Sequence, residues 1–272
     1  MSVQTTTKQV TVATLRKMKR EGEKIACLTA YDASFSAVLD AAGMDVILVG
    51  DSLGMVVQGH TTTVPVKVAD MIYHSRAVAS RCKRALLMVD MPFMSYTSPQ
   101  QALESAARLM QDGAGHMVKL EGDSRQVETV EKLVEHGVPV CAHIGLQPQL
   151  IHKLGGYRVQ GRGDDQAKKM IDDALALEQA GADAILLECV VEPLAAELTE
   201  KLTIPTIGIG ASAKCDGQIL VLQDILGITP GRAPKFAHNF LQQSGDIQTA
   251  VGAYIQAVKN GEFPENEHIF ES

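Results

Sequence analysis

Eight short apolar runs recur along this chain, each separated from the next by a segment of helical period. That alternation constrains the fold more than any other feature. The runs are Lys24–Ala30, Val46–Val49, Ala85–Val89, His116–Leu120, Pro139–Ala142, Ala184–Leu187, Pro205–Ile209 and Ile219–Leu222. VILV and ALLMV show no polar alternation, the pattern of strands covered on both faces in a parallel sheet. The helical segments between them carry their own punctuation. Gly43, Gly113, Gly137 and Gly181 stop helices, and Pro99 opens one behind the capping Ser98. Val66–Arg81 sets Val68, Met71, Ile72 and Ser75 on one face.

Strict alternation over 272 residues, without a linker or composition shift, predicts an α/β fold, a single (β/α)8 TIM barrel over 1–272. A basic amphipathic segment at 10–22 adds an N-terminal helix, and 235–262 reads as C-terminal helices. The termini, 1–8 and 265–272, read as loose. A doubly wound sheet is the rival, but it would show GxGxxG after the first strand, and none is present.

Net charge narrows the partners. A value of −7 gives no electrostatic case for nucleic acid. No stretch approaches the ~18–20 apolar residues of a membrane span, and the N-terminus lacks the apolar core of a secretory signal. A cytoplasmic location with no membrane partner is expected. The 5 cysteines are widely spaced and odd in number, which suits reduced thiols better than a disulfide framework or a zinc site.

Several runs stop at a carboxylate: Asp51, Asp90, Glu121 and Glu188. In a barrel all C-terminal strand ends meet at one mouth, so acids distant in sequence become neighbours. Lys119 lies two positions before Glu121 and shares its side of the strand. Clustered acids repel and raise one another's pKa unless a cation joins them. Oxygen donors without Cys or His ligand pairs suit Mg2+, so Asp51, Asp90 and Glu121 form a coherent metal set. Glu188, across the barrel, suits a general base whose pKa burial has raised. Any one acid could instead cap a helix or pair with an arginine; four at equivalent positions argue for a site.

Weaker signals surround this set. His143, at the end of its run, suits a substrate contact, a supporting donor or a satisfied core histidine. His60 and His74 carry less, and Ser52 and Ser212 suit hydroxyl donors or turn caps. The GGYRVQGRG segment, 155–163, reads as a mobile lid or anion-contacting loop. Gly208-Ile-Gly210 resembles backbone that approaches a ligand.

VGDSLGMVVQGHTTTVPV, DMPF, VKLEG, AHIGLQPQ, GGYRVQGR, LLEC, PTIGIGAS and CDGQILVLQDILGI, in this order, resemble the ketopantoate hydroxymethyltransferase family from about residue 10 to the C-terminus. The resemblance implies a Mg2+-dependent homodecamer of pantothenate biosynthesis. Such an enzyme transfers a hydroxymethyl group from 5,10-methylenetetrahydrofolate to 3-methyl-2-oxobutanoate, giving 2-dehydropantoate and tetrahydrofolate. It further implies Asp51, Asp90 and Glu121 at the metal, and Asp51, Ser52, Asp90, Lys119 and His143 around the keto acid. Glu188 is then the proton acceptor, and no residue is assigned to the folate. Two alternatives stay open: a metal-dependent lyase or mutase of the phosphoenolpyruvate mutase/isocitrate lyase type, whose KKCGH loop is absent here, and a non-catalytic binding barrel.

Overall fold

The computed structural model describes residues 8–229 and 231–271; the expectation of a loose N-terminus at 1–7 lies outside the described residues. The eight apolar runs become parallel strands β1 Ile25–Thr29, β2 Val46–Val49, β3 Leu86–Asp90, β4 Met117–Glu121, β5 Val140–Gly145, β6 Ala184–Glu188, β7 Thr206–Ile209 and β8 Gly217–Leu220. They pair in sequence order, and β8 pairs back to β1 to close the barrel. Every residue of β1, β2, β3 and β4 is buried, as the unbroken apolar runs require.

Helices α1 Val12–Glu21, α2 Ala33–Ala42, α3 Leu53–Val56, α4 Val68–Ala79, α5 Pro99–Gln111 and α6 Val127–Glu135 accompany the first half of the sheet. The second half carries α7 Ile151–Leu154, α8 Asp164–Gln179, α9 Glu192–Lys201, α10 Leu222–Ile225, α11 Leu241–Ser244 and α12 Ile247–Lys259. α1 is the expected leading helix, opened by a Thr11–Thr14 capping box. It buries Leu15 and Met18, while Arg16 reaches Asp183 at 2.8 Å and Lys19 reaches Asp216 at 2.7 Å. Those aspartates precede β6 and β8, so α1 lies against the N-terminal side of the barrel. The opposite end remains for chemistry.

The structure departs from the sequence expectations where backbone, not side-chain pattern, decides. The last strand starts two residues earlier than Ile219, at Gly217, because Gly217 and Gln218 pair with Ile25 and Ala26. A Cβ on Gly217 would stand 2.5 Å from the Ile25 carbonyl oxygen, so glycine is required where hydropathy saw no strand. Val221 and Leu222 leave the sheet, and the Leu222 N–H donates to Thr29 Oγ1 at 2.9 Å. β5 continues to Gly145, so His143 sits inside the strand, not at its end. The C-terminal tail, expected to be loose from 265, is docked. Asn266–His268 forms a 3₁₀ turn, His268 is buried, and the Glu192 N–H donates to the Phe270 carbonyl at 2.8 Å. A polar composition does not reveal a segment anchored through its backbone carbonyls.

Gly145 fixes the far end of the future site. Its φ is +92°, and a Cβ there would meet the Glu188 carbonyl oxygen at 2.4 Å. Gly145→Ala is expected to cost about 1–3 kcal/mol of stability through the disfavoured backbone alone. It should also lower activity by displacing the end of β6; urea unfolding beside a turnover assay reads both.

Candidate active site

The C-terminal strand ends open into a cavity of about 680 Å³, and Asp51, Asp90, Lys119, Glu121, His143 and Glu188 all line it. Asp90, Glu121 and Glu188 are the last residues of β3, β4 and β6, and Asp51 lies two residues beyond β2. Strand register sets Asp90 beside Lys119 and Glu121 beside His143. The predicted residues are thus brought together, with Glu188 on the strand opposite β2 in the closed ring.

Local geometry is tight at Asp51. The Asp51 N–H donates to Asp90 Oδ2 at 2.9 Å, and a Cβ on Gly50 would lie 2.8 Å from Ser52 Oγ and 3.4 Å from Asp90 Oδ2. Ser52 Oγ is 2.8 Å from the Tyr31 hydroxyl. Lys119 Nζ meets Asp90 Oδ1 at 2.5 Å, and no further hydrogen bond from the described residues reaches that oxygen. His143 lies between two acids, with Nδ1 3.8 Å from Glu121 Oε1 and Nε2 3.4 Å from Glu188 Oε2.

Charge explains the protonation states. Burial raises the Asp51 carboxyl to about 7, with Asp90 adding to the rise and Lys119 opposing it. Burial and then Asp51 push Glu121 well above the ordinary carboxylate range. Glu188 is raised by burial to about 8 despite the opposing Lys119 charge. Burial alone would lower the Lys119 ammonium, but Asp90, Glu121 and Asp51 outweigh it and hold the lysine charged. Burial and Lys119 keep the His143 imidazole neutral. One ammonium facing several carboxylates leaves the pocket short of positive charge. Lys119→Met, which strands Asp90 without its partner, is expected to cost about 3–5 kcal/mol of stability, measurable by urea unfolding.

Gln149 is a residue that sequence reasoning missed. Its side-chain nitrogen donates to Asp51 Oδ2 and to the Met91 carbonyl, each at 2.9 Å, while its backbone N–H donates to Glu121 Oε2 at 3.0 Å. The Tyr96 hydroxyl donates to its side-chain oxygen at 2.5 Å. One residue therefore ties two of the acids together. The AHIGLQPQ segment contained it, but only the fold shows that the 3₁₀ turn after β5 returns to the cavity.

Among the described residues no three His, Cys, Asp or Glu side chains are gathered closely enough to form a ligand shell as they stand. The fit to a divalent cation rests on donor type and charge: carboxylate oxygens in excess of cations, with Asp90 Oδ1 held only by Lys119. Such a set suits Mg2+.

Other candidates fall away from this cluster. His60 is exposed, and His74 Nδ1 is engaged with the Tyr31 carbonyl at 2.8 Å. Ser212 donates to Glu192 Oε1 and accepts from the Lys214 N–H, a turn role. The 155–163 loop places Tyr157 and Arg158 on the cavity. Beyond them, Gln160 is strapped to the segment after β6, donating its N–H to the Cys189 carbonyl and accepting from the Val191 N–H.

A closed barrel whose strand ends gather buried acids, a lysine and a neutral imidazole around one cavity defines an enzyme of the (β/α)8 class. Solved structures share the fold. Oxaloacetate acetylhydrolase in complex with the product oxalate aligns with a TM-score of 0.61 at 16% identity, covering 94% of this chain and 99% of that one. Phosphonopyruvate hydrolase in complex with oxalate and Mg2+ aligns with a TM-score of 0.56 at 13% identity, covering 94% and 92%.

Sequence comparison is more specific. The 3-methyl-2-oxobutanoate hydroxymethyltransferase of Alkalilimnicola ehrlichii is 58% identical over 97% of this chain and 96% of its own. That of Halorhodospira halophila is 56% identical over 97% and 95%. The family model described as ketopantoate hydroxymethyltransferase matches residues 9–266. The chain belongs to the ketopantoate hydroxymethyltransferase family and is a transferase.

Proposed function

We propose that this protein transfers the one-carbon unit of 5,10-methylenetetrahydrofolate to C3 of 3-methyl-2-oxobutanoate, with Glu188 as the base and Asp51, Asp90 and Glu121 holding Mg2+. The observation that carries the reading is the meeting of those acids and Lys119 in one cavity opposite Glu188. The Mg2+ found with oxalate in phosphonopyruvate hydrolase, a barrel of the same fold, supports the choice of ion.

A bound divalent ion would supply Lewis-acid polarisation of the 2-oxo group, which makes the adjacent C3–H acidic. Lys119, held charged, offsets negative charge on the keto acid, and Ser52 and His143 contribute polar contacts to it. Glu188 takes the C3 proton onto a carboxylate oxygen and leaves its electron pair at C3. That carbon forms a bond to the folate methylene as one C–N bond to the folate breaks, and the freed nitrogen takes up the proton that Glu188 had accepted. Water supplies the hydroxyl oxygen, and the second folate nitrogen leaves with a proton, giving 2-dehydropantoate and tetrahydrofolate.

A cytoplasmic homodecamer accompanies this reading, and sedimentation is expected to show that particle. Lyase or mutase chemistry shares the fold but not the need for a one-carbon donor. The test is exchange of the C3 proton of 3-methyl-2-oxobutanoate in heavy water without folate. The wild-type protein with Mg2+ is expected to exchange, and chelation to stop it. Exchange indifferent to the metal would contradict the reading.

A further inference from the structure

The cavity is larger than a five-carbon keto acid needs and falls in the range of about 300–1,000 Å³ that encloses a drug-sized ligand. Its β2, β3, β4 and β6 sides hold the charged cluster. The side beyond β8 is chemically different and has no part in the chemistry above. There Asp224, on α10, is buried at 5% exposure and still lines the cavity. α10 is pinned to the barrel by the Leu222 N–H to Thr29 bond. Thr229 Oγ1 donates to Asp224 Oδ1 at 2.5 Å, while no protein donor among the described residues meets Oδ2. Each carboxylate oxygen accepts more than one hydrogen bond, so the group retains acceptor capacity toward the cavity.

The surroundings change character toward solvent. Phe236 and Phe270, both half-buried, give the same cavity apolar surface, and Arg158, Arg232 and Lys235 line it with exposed side chains. Lys235 is already engaged with the Ile269 carbonyl at 2.6 Å, whereas neither guanidinium meets a partner among the described residues. In order of increasing exposure the groups therefore run acceptor, apolar, cationic. A complementary ligand has a donor edge at one end, an aromatic middle and carboxylates at the other.

Tetrahydrofolate has that order. Its pterin presents N3–H and a 2-amino N–H side by side, a donor pair that one carboxylate meets bidentately. Its aminobenzoyl ring is apolar, and its glutamate tail is anionic. We infer that Asp224 anchors the pterin edge of the one-carbon donor, with the ring against Phe236 and Phe270 and the glutamate carboxylates leaving past Arg158 and Arg232. The inference rests on the folate-dependent reading above and adds to it the residues that hold the co-substrate. A buried carboxylate matched by two donors recovers its lost hydration, which a neutral amide facing the same edge does not.

Anaerobic calorimetric titration of the full-length protein with tetrahydrofolate tests the assignment. Asp224→Asn retains the oxygen that accepts from Thr229 but loses the charge. It is expected to weaken tetrahydrofolate binding about tenfold or more. Thr229→Val removes the hydroxyl alone and is expected to change binding by less than about threefold. Folate-free proton exchange from the keto acid, measured on the same Asp224→Asn sample, is expected to persist, which also shows the variant to be folded. Unchanged binding by Asp224→Asn would overturn the inference. So would equal losses in the two variants, because the pair would then only prop the loop. Loss of proton exchange in Asp224→Asn would overturn it too, by placing Asp224 with the keto acid. Failure of the catalytic reading shows separately, as absent exchange in a wild-type protein whose tetrahydrofolate binding still falls with Asp224→Asn.

Discussion

Glu188→Gln is expected to slow hydroxymethyl transfer by about 10²–10⁴-fold, with C3-proton exchange lost in parallel. The amide preserves the shape of the side chain and removes only its ability to take a proton. Glu188 is a largely enclosed carboxylate, 14% exposed at its side chain, raised to about 8 by desolvation that the Lys119 charge only partly offsets. It sits 3.4 Å from a neutral His143. Its charge costs stability, so the amide variant should unfold no more easily than wild type. That separates a lost base from a damaged fold. Turnover assays and exchange followed by NMR give the kinetic half, and urea unfolding gives the other. A variant that keeps near-wild-type exchange would remove Glu188 from the proposed role.

The second large effect is a pH dependence that reverses with metal. The folded protein without a divalent ion holds protons that the unfolded chain releases, because Asp51 is raised to about 7 and Glu188 to about 8 from ordinary carboxylate values. A raised folded pKa means that the native state binds more protons between the two values. Stability therefore falls as pH rises from about 4 through 8 and levels off above. A pKa that differs by one between the folded and unfolded chain corresponds to about 1.4 kcal/mol, so these buried groups together carry a penalty on the order of several kcal/mol. Mg2+ removes the share of that penalty carried by Asp51, the ligand among the two, where it is ionised. Its stabilising effect should be small at pH 5 and several degrees larger at pH 8, read as the thermal midpoint with and without chelator. A metal effect that is equal at both pH values would be inconsistent with an ion bound by Asp51.

Much of this geometry was legible in the sequence because a parallel barrel converts position along a strand into position in space. Asp90, Glu121 and Glu188 end apolar runs, and the closed sheet necessarily carries such residues to one rim. Register then does the rest, placing Asp90 beside Lys119. What could not be read depended on backbone contacts. Gly217 belongs to β8 because no side chain fits against Ile25, a fact invisible to hydropathy. His143 lies inside β5 because the strand runs on to Gly145, whose positive φ lets it pass the Glu188 carbonyl. Gln149 joins Asp51 to Glu121 from a short turn with no apolar period of its own. Phe270 reaches the cavity only because the tail is held through its carbonyl.

Titration of the metal-free protein with Mn2+, followed by calorimetry in buffers of different ionisation enthalpy, tests the arrangement most directly. The predicted result is a single ion per chain, bound with proton release near pH 7 and lost when Asp51→Asn or Glu121→Gln is introduced. Binding that survives both substitutions, or no binding to the wild-type chain, would contradict a divalent-ion site built from these strand ends.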